Sequence, residues 1–421
     1  MSQIINSILD TDLYKLTQQY AVIKLHPTLK VEYEFFNRND VEFPDGFDVA
    51  LASEVAKMKT LSLLEAEKEF LIKTCGRFLP PTYTDFLSSY RFDPSEVMIF
   101  QDGGKLRVKI RGYWYKTILW EVPLMGIISE LYYKMTISED KYPNLEKLEK
   151  LSFEKASKKA SMLKTSDSQF SDFGTRRRFS FNNQDIIVRA LKSYGGDSFK
   201  GTSNVYLAYK HNLKCTGTMA HEFISAHGAL YGYRLANKIA MENWVNVYDG
   251  DLGIALTDTF TTDCFNKTFT LKQAKLFDGV RHDSGDPFEY VDKIVKFYHS
   301  QNIDPLSKTI VFSDGLDIDL AIKLNKYCIG KIKSAFGIGT HFTNDLKEIG
   351  VKPLNMVIKL TKVLVDGEWV GAVKLSDNVG KHTGTIGDIE LCKNTLGIKG
   401  VEYNRLPAGN EDDNVKLNII E

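Results

Sequence analysis

The stretch Thr309–Asp345, TIVFSDGLDIDLAIKLNKYCIGKIKSAFGIGTHFTND, decides the fold. Two short apolar runs, TIVF and KIKSAF, each close in a polar or Gly-rich turn, and a helical segment separates them. The same grammar occurs upstream in GIALTDTF (Gly253–Phe260) and GVRHDSGDP (Gly279–Pro287), and it begins near Phe170. A β–α repeat of this kind predicts a largely parallel α/β sheet or barrel. Chemistry in such folds collects at the carboxyl ends of the strands, where each of these turns would lie.

Outward from this core the pattern changes. VEYEFF (Val31–Phe36) reads as a strand from its β-branched and aromatic content, and KLRVKIRGYW (Lys105–Trp114) alternates as a half-buried strand should. SLLEAEKEFLIKTC (Ser62–Cys75) reads as a helix, with Ser62 placed to cap it and Glu65 three residues later. Leu145–Lys164 is a charged helix whose Glu/Lys pairs form a solvated face. After Pro353, NMVIKLTKVLVD and EWVGAVKLSD turn at Asp366–Gly367 as a hairpin. The expected division is an N-terminal mixed α/β domain (1–120), a catalytic α/β barrel (121–350) and a C-terminal segment (351–421) whose hairpin packs with the N-terminal domain. The last ~20 residues are polar and carry no element signal.

Composition narrows the function. The 421 residues are 43% hydrophobic and 26% charged, which is globular rather than disordered. Lys+Arg and Asp+Glu both number 54, so an anion site must be a local concentration of cations, and a nucleic-acid partner is not expected. The N-terminus has no secretory pattern, and the apolar run Trp120–Tyr133 is interrupted by Glu121, Pro123, Gly126 and Glu130. Neither membrane insertion nor export is expected. Five scattered cysteines without C-x-x-C suit free thiols in a reducing cytoplasm.

Several turns carry chemical potential. In FGIGTHFTND, Gly337 and Gly339 permit close backbone approach, and N–H groups before a helix can bind phosphate; a plain tight turn would also use them. In RHDSGDP, Arg281 can fork onto an anion, and Asp283 and Asp286 can hold a diol or Mg²⁺. Asp286 and Pro287 equally suit a capped helix start. SDGLD offers Ser313 and Asp314 beside these turns. DFGTRRRFS pairs the Phe173 ring with the Arg176 cation, which suits a flat ring bearing a negative group; consecutive arginines cannot all face one way. In GTMAHEFISAHG, His227 follows His221 by six residues, a rotation of about 600° on a helix, so the rings point far apart and a zinc-hydrolase pair is not expected. There is no Walker-type P-loop.

Taken in order, DTDLYK, FGTRRR, GTSN, GT-x-AHE, LTDT, R-x-DSGDP, SDGLD and FGIGT-x-FTND resemble nicotinate phosphoribosyltransferases of the bacterial and fungal type, over roughly residues 8–380. The resemblance implies an irregular α/β barrel of the type II phosphoribosyltransferase kind packed on a smaller mixed α/β domain. It implies formation of nicotinate mononucleotide and pyrophosphate from nicotinate and 5-phosphoribosyl 1-pyrophosphate, in the salvage (Preiss–Handler) branch of NAD biosynthesis. Coupling to ATP hydrolysis would run through a phosphohistidine at His221, and active sites would be shared in a homodimer. Catalytic roles then fall on His221, Arg281 and Asp283. Substrate contacts fall on Tyr14 (from the neighbouring subunit), Phe173, Arg176, Ser203, Thr218, Arg281, Ser313, Asp314, Gly337, Gly339 and Thr340. Ser203 stands where nicotinamide-using relatives carry an acid, which would repel nicotinate's carboxylate. Mg²⁺ is expected with the substrate phosphates, with no metal fixed by the protein alone, and ATP as co-substrate.

Overall fold

The computed structural model describes residues 3–217, 219–378 and 382–398. Two sheets organise the chain. The first is antiparallel and contains β1 (Lys30–Asn37), β2 (Val97–Asp102) and β3 (Lys105–Tyr113). The second is parallel and contains β4 (Phe170–Asp172), β5 (Phe199–Thr202), β6 (Ile254–Leu256), β7 (Gly279–His282), β8 (Thr309–Phe312) and β9 (Lys333–Ile338). The chain then returns to the first sheet with β10 (Met356–Val365) and β11 (Glu368–Gly371).

The parallel strands run in the order β5-β4-β9-β8-β7-β6 and, with their crossover helices, form an irregular α/β barrel. The ladder is open between β5 and β6. Their shortness and apolarity fit strands covered on both faces: Val280, Ile310, Phe312 and Phe336 are each at most 1% exposed. Gly279 shows how closely they pack, since a Cβ there would lie 1.9 Å from the Thr309 carbonyl oxygen.

The antiparallel sheet runs β11-β10-β1-β3-β2, so the expected hairpin is present and pairs with β1. In β3, Leu106, Val108 and Ile110 are buried while Lys105, Arg107 and Lys109 are exposed, the alternation read from sequence. After β11 the chain crosses back to the barrel: Leu375 N–H donates to the Thr259 carbonyl and Ser376 N–H to that of Asp258. This crossing fixes the site below.

One helix start differs from the sequence reading. The helix is Glu65–Cys75, and its first turn is closed by Glu67, whose carboxylate accepts the Leu64 N–H at 2.9 Å. Ser62 lies too far upstream to cap it. The helix Leu145–Thr165 buries Leu148, Ser152, Ala156, Ala160 and Leu163 and exposes most of its charges. Its Lys155 and Lys159 are not merely solvated, because both bind Asp345 in the turn after β9, at 3.1 and 2.8 Å. None of the five cysteines forms a disulfide. Among the described residues, no helix is long and apolar enough to cross a membrane.

Candidate active site

The site lies where the carboxyl ends of β6, β7 and β8 meet the segment returning from β11. Arg281, near the end of β7, is fixed by three acceptors. Its Nε donates to Ser313 Oγ (2.8 Å), Nη1 to the Met219 carbonyl (3.0 Å) and Nη2 to Asp283 Oδ1 (2.9 Å). Ser313 also donates to Asp283 Oδ1 at 2.8 Å. The guanidinium is thus oriented by the protein itself. Burial opposes ionisation of Asp283, but Arg281, His221 and Lys374 hold its carboxyl well below the usual carboxylate range.

His221 opens the helix His221–Tyr231. Its Nδ1 is 2.9 Å from Thr259 Oγ1, and its Nε2 is 2.9 Å from Asp283 Oδ2 and 2.8 Å from Lys374 Nζ. Burial, and then the Lys374 charge, push the imidazole down to about 4, against Asp258 and Asp283. At neutral pH it is a neutral ring with a lone pair, the state a nucleophile needs. Lys374 also pairs with Asp258 Oδ2 at 3.2 Å, and Ser284 donates to the same oxygen at 2.6 Å.

His221, Asp258 and Asp283 each bring a potential metal-ligand atom within 4.8 Å of the others. The Lys374 ammonium already sits among them as the counter-charge, so they do not fit a resident metal.

The three consecutive arginines separate completely. Arg178 has no exposed side-chain surface and forks onto Asp10, with Nη1–Oδ1 and Nη2–Oδ2 both 2.7 Å. It is a structural clamp between the barrel and the N-terminal segment. Arg177 donates to the Met356 carbonyl at 3.0 Å. Arg176 lines the cavity, 3.8 Å from Glu121 Oε1. Behind the wall, Lys15 is buried between Glu121 (2.5 Å) and Glu222 (2.7 Å).

One cavity therefore gathers Tyr14, Arg176, His221, Arg281 and Asp283, together with Glu121 and Lys374. Ser313 stands behind Arg281. Tyr14 lines the cavity of its own chain, whereas the resemblance assigned it to a neighbour. Other expected contacts do not line it. Ser203 is buried and spends its hydroxyl on Asp12 Oδ1 at 2.7 Å. Gly337 and Gly339 make room for the Phe173 segment: a Cβ at 337 would lie 2.3 Å from the Phe173 ring, and one at 339 would lie 3.0 Å from its carbonyl oxygen. Thr340 starts a four-residue helix, and Asp314 faces the cations Arg38 and Arg177. Asp286 caps the helix Pro287–Ser300, accepting the Phe288 and Glu289 N–H groups at 2.9 Å. Thr218 lies outside the described residues.

Sequence reasoning did not single out Asp258, Thr259, Lys374, Glu121 or Lys15. Asp258 and Thr259 stand in the LTDT motif and were within reach. Lys374 sits in an ordinary strand-like run, and only the crossing back to β6 brings it to His221.

A barrel with a buried histidine, a pre-oriented arginine and paired carboxylates at its strand ends defines a group-transfer enzyme that handles anions. The comparisons give the family. The N-terminal domain model of the nicotinate phosphoribosyltransferase (NAPRTase) family matches residues 9–129, and the NAPRTase family model matches 168–400. The nicotinate phosphoribosyltransferase of Desulforapulum autotrophicum is 50% identical over 394 residues, covering 93% of this chain and 99% of that protein. That of Chromohalobacter salexigens is 47% identical over 398 residues, covering 94% and 99%. The crystal structure of nicotinate phosphoribosyltransferase from Porphyromonas gingivalis superposes with a TM-score of 0.89 at 47% identity, covering 94% of this chain and all of that one. The chain belongs to the nicotinate phosphoribosyltransferase family.

Proposed function

We propose that this protein joins nicotinate to 5-phosphoribosyl 1-pyrophosphate in the cytoplasm, as a homodimer, in the salvage (Preiss–Handler) branch of NAD biosynthesis. The pyridine nitrogen forms a bond to the ribose anomeric carbon. The bond from that carbon to pyrophosphate breaks, and its electron pair leaves on the pyrophosphate oxygen. The carrying observation is the convergence of Arg176, Arg281 and His221 on one cavity.

The chemistry asks for orientation more than for covalent help. Positive charge grows on the sugar as the leaving group departs, and Asp283 stands ionised near it. Arg176 and Arg281 offer guanidinium forks to a carboxylate or phosphate, and Tyr14 offers a ring face. Mg²⁺ enters with the substrate phosphates, as part of the substrate.

His221 is the proposed link to ATP. The neutral imidazole attacks the γ-phosphorus, ADP leaves, and water later releases the phosphoryl group as phosphate. Thr259 and Asp283 hold the ring in place for this. The phosphorylated form would change affinity for the ribosyl donor and so drive an unfavourable equilibrium.

Incubation with nicotinate, the ribosyl donor, Mg²⁺ and γ-labelled ATP tests both levels. Mononucleotide and label on His221 are expected, with nicotinamide and quinolinate poor substrates. Absence of mononucleotide overturns the activity. ATP-stimulated turnover in His221→Ala overturns only the coupling.

A further inference from the structure

We propose that Lys359 is an additional substrate-binding residue, receiving an anionic oxygen of the bound ligand, either carboxylate or phosphate. The assignment rests on the reading of this cavity as the substrate site.

Lys359 is a lysine in the strongly apolar strand β10, between buried Ile358 and Leu360. It lines the same cavity as Tyr14, Glu121, Arg176, Arg281 and Asp283. Every other cation in this cavity or directly behind its wall has partners. Lys15 has two glutamates, Lys374 has Asp258 and His221, and Arg281 has Ser313, Asp283 and the Met219 carbonyl. Arg176 faces Glu121. The ammonium of Lys359 makes no hydrogen bond or ion pair among the described residues. A half-buried ammonium left this way is costly, and the strand keeps it there.

Its surroundings add to the cost. Lys374, Arg176 and Arg38 bring like charge to it; Glu121 and Glu222 act on it from a distance but are both held by Lys15, and Asp283 is engaged by Arg281 and His221. Burial, then the Lys374 charge, bring the ammonium down to about 7. An arriving anion removes the imbalance. Lys359 would then bind as a full cation, taking up a proton whenever the pH is near or above that value.

Titration calorimetry in buffers of different ionisation heat measures that proton. Nicotinate alone and inorganic pyrophosphate with Mg²⁺ are titrated separately at pH 7.5 into the wild type, Lys359→Met and Lys359→Arg. We expect proton uptake with one ligand, which identifies whether the anion is carboxylate or phosphate. Lys359→Met should abolish the uptake and weaken that ligand roughly 10- to 100-fold, the loss of one charge-assisted hydrogen bond. Lys359→Arg should restore affinity without uptake, because a guanidinium is always charged. A melting curve checks that both variants fold. No uptake in the wild type, or unchanged binding and uptake in Lys359→Met, overturns the assignment. Absence of mononucleotide formation in the wild type is a separate result, and it overturns the activity instead.

Discussion

Behind the cavity wall, Lys15 lies between Glu121 at 2.5 Å and Glu222 at 2.7 Å, with none of its side chain exposed. Lining the same cavity, Lys374 lies between Asp258 at 3.2 Å and His221 at 2.8 Å, with 11% of its side chain exposed. Both are a lysine held among acids. Burial works against the Lys15 charge, yet its two glutamates raise it above an ordinary lysine. The ammonium is closed off, with both of its ion-pair partners inside the protein. The Lys374 cluster leaves one partner chemically available, because it presses a neutral histidine towards the cavity. The difference is access: the same charges act as a rivet when sealed and as a reaction site when one of them faces substrate.

The largest effect should come from opening the closed cluster. Lys15→Met leaves Glu121 and Glu222 buried without their cation, which costs about 3–5 kcal/mol for a broken buried pair. Urea denaturation measures this, and a loss under ~1 kcal/mol would show that the cluster is no rivet. In the cavity-lining cluster the balance shifts from stability to activity. Asp283→Asn keeps the side-chain shape and should cost less stability than Lys15→Met, but should lower kcat/KM roughly 10²-fold, because Arg281 and His221 lose the charged group that aims both. Steady-state kinetics with a parallel melting curve separates the two quantities.

A smaller effect compares the two histidines of one helix. His221 is depressed to about 4 and His227 to about 3, both chiefly by burial. An unfolded histidine takes its proton near 6.5, so the unfolded chain binds more protons below that value. Stability is therefore fully present above about 6.5 and falls as pH drops towards 4, by up to ~1.4 kcal/mol per pH unit for each ring. His227 donates or accepts only inside the fold, with the Phe223 carbonyl and Asn243. His227→Gln should flatten the acid limb of a stability–pH curve while ATP stimulation persists. If ATP stimulation vanished in that variant, the division between sealed and accessible groups would fail.

Much of the fold was legible because strand periodicity and turn chemistry are local. The β7–β8–β9 series, the Asp366–Gly367 hairpin and the alternation in β3 all follow from near neighbours along the chain. The Ser62 cap failed for a comparable reason: several acids cluster in that stretch, and only the backbone decides that Glu67 returns to Leu64. In the site, the motifs carrying His221, Arg281 and Asp283 were visible, but their neighbours' tasks were not. Gly337 and Gly339 read as open backbone for a ligand, and packing gave that space to Phe173. Ser203 read as a substrate contact, and Asp12 took its hydroxyl.

The sequence by itself determined the class of fold and the family, since both are written in residue types at short spacing. Only the tertiary structure sorted Arg176, Arg177 and Arg178 into cavity, backbone tie and buried clamp, and only it brought Lys359, from β10, and Lys374, from the segment after β11, to the site. The reason is physical: charge on a side chain is local, but its protonation, its partner and its exposure depend on groups distant in the chain that meet it only after folding, as Lys374 and His221 do across 153 residues.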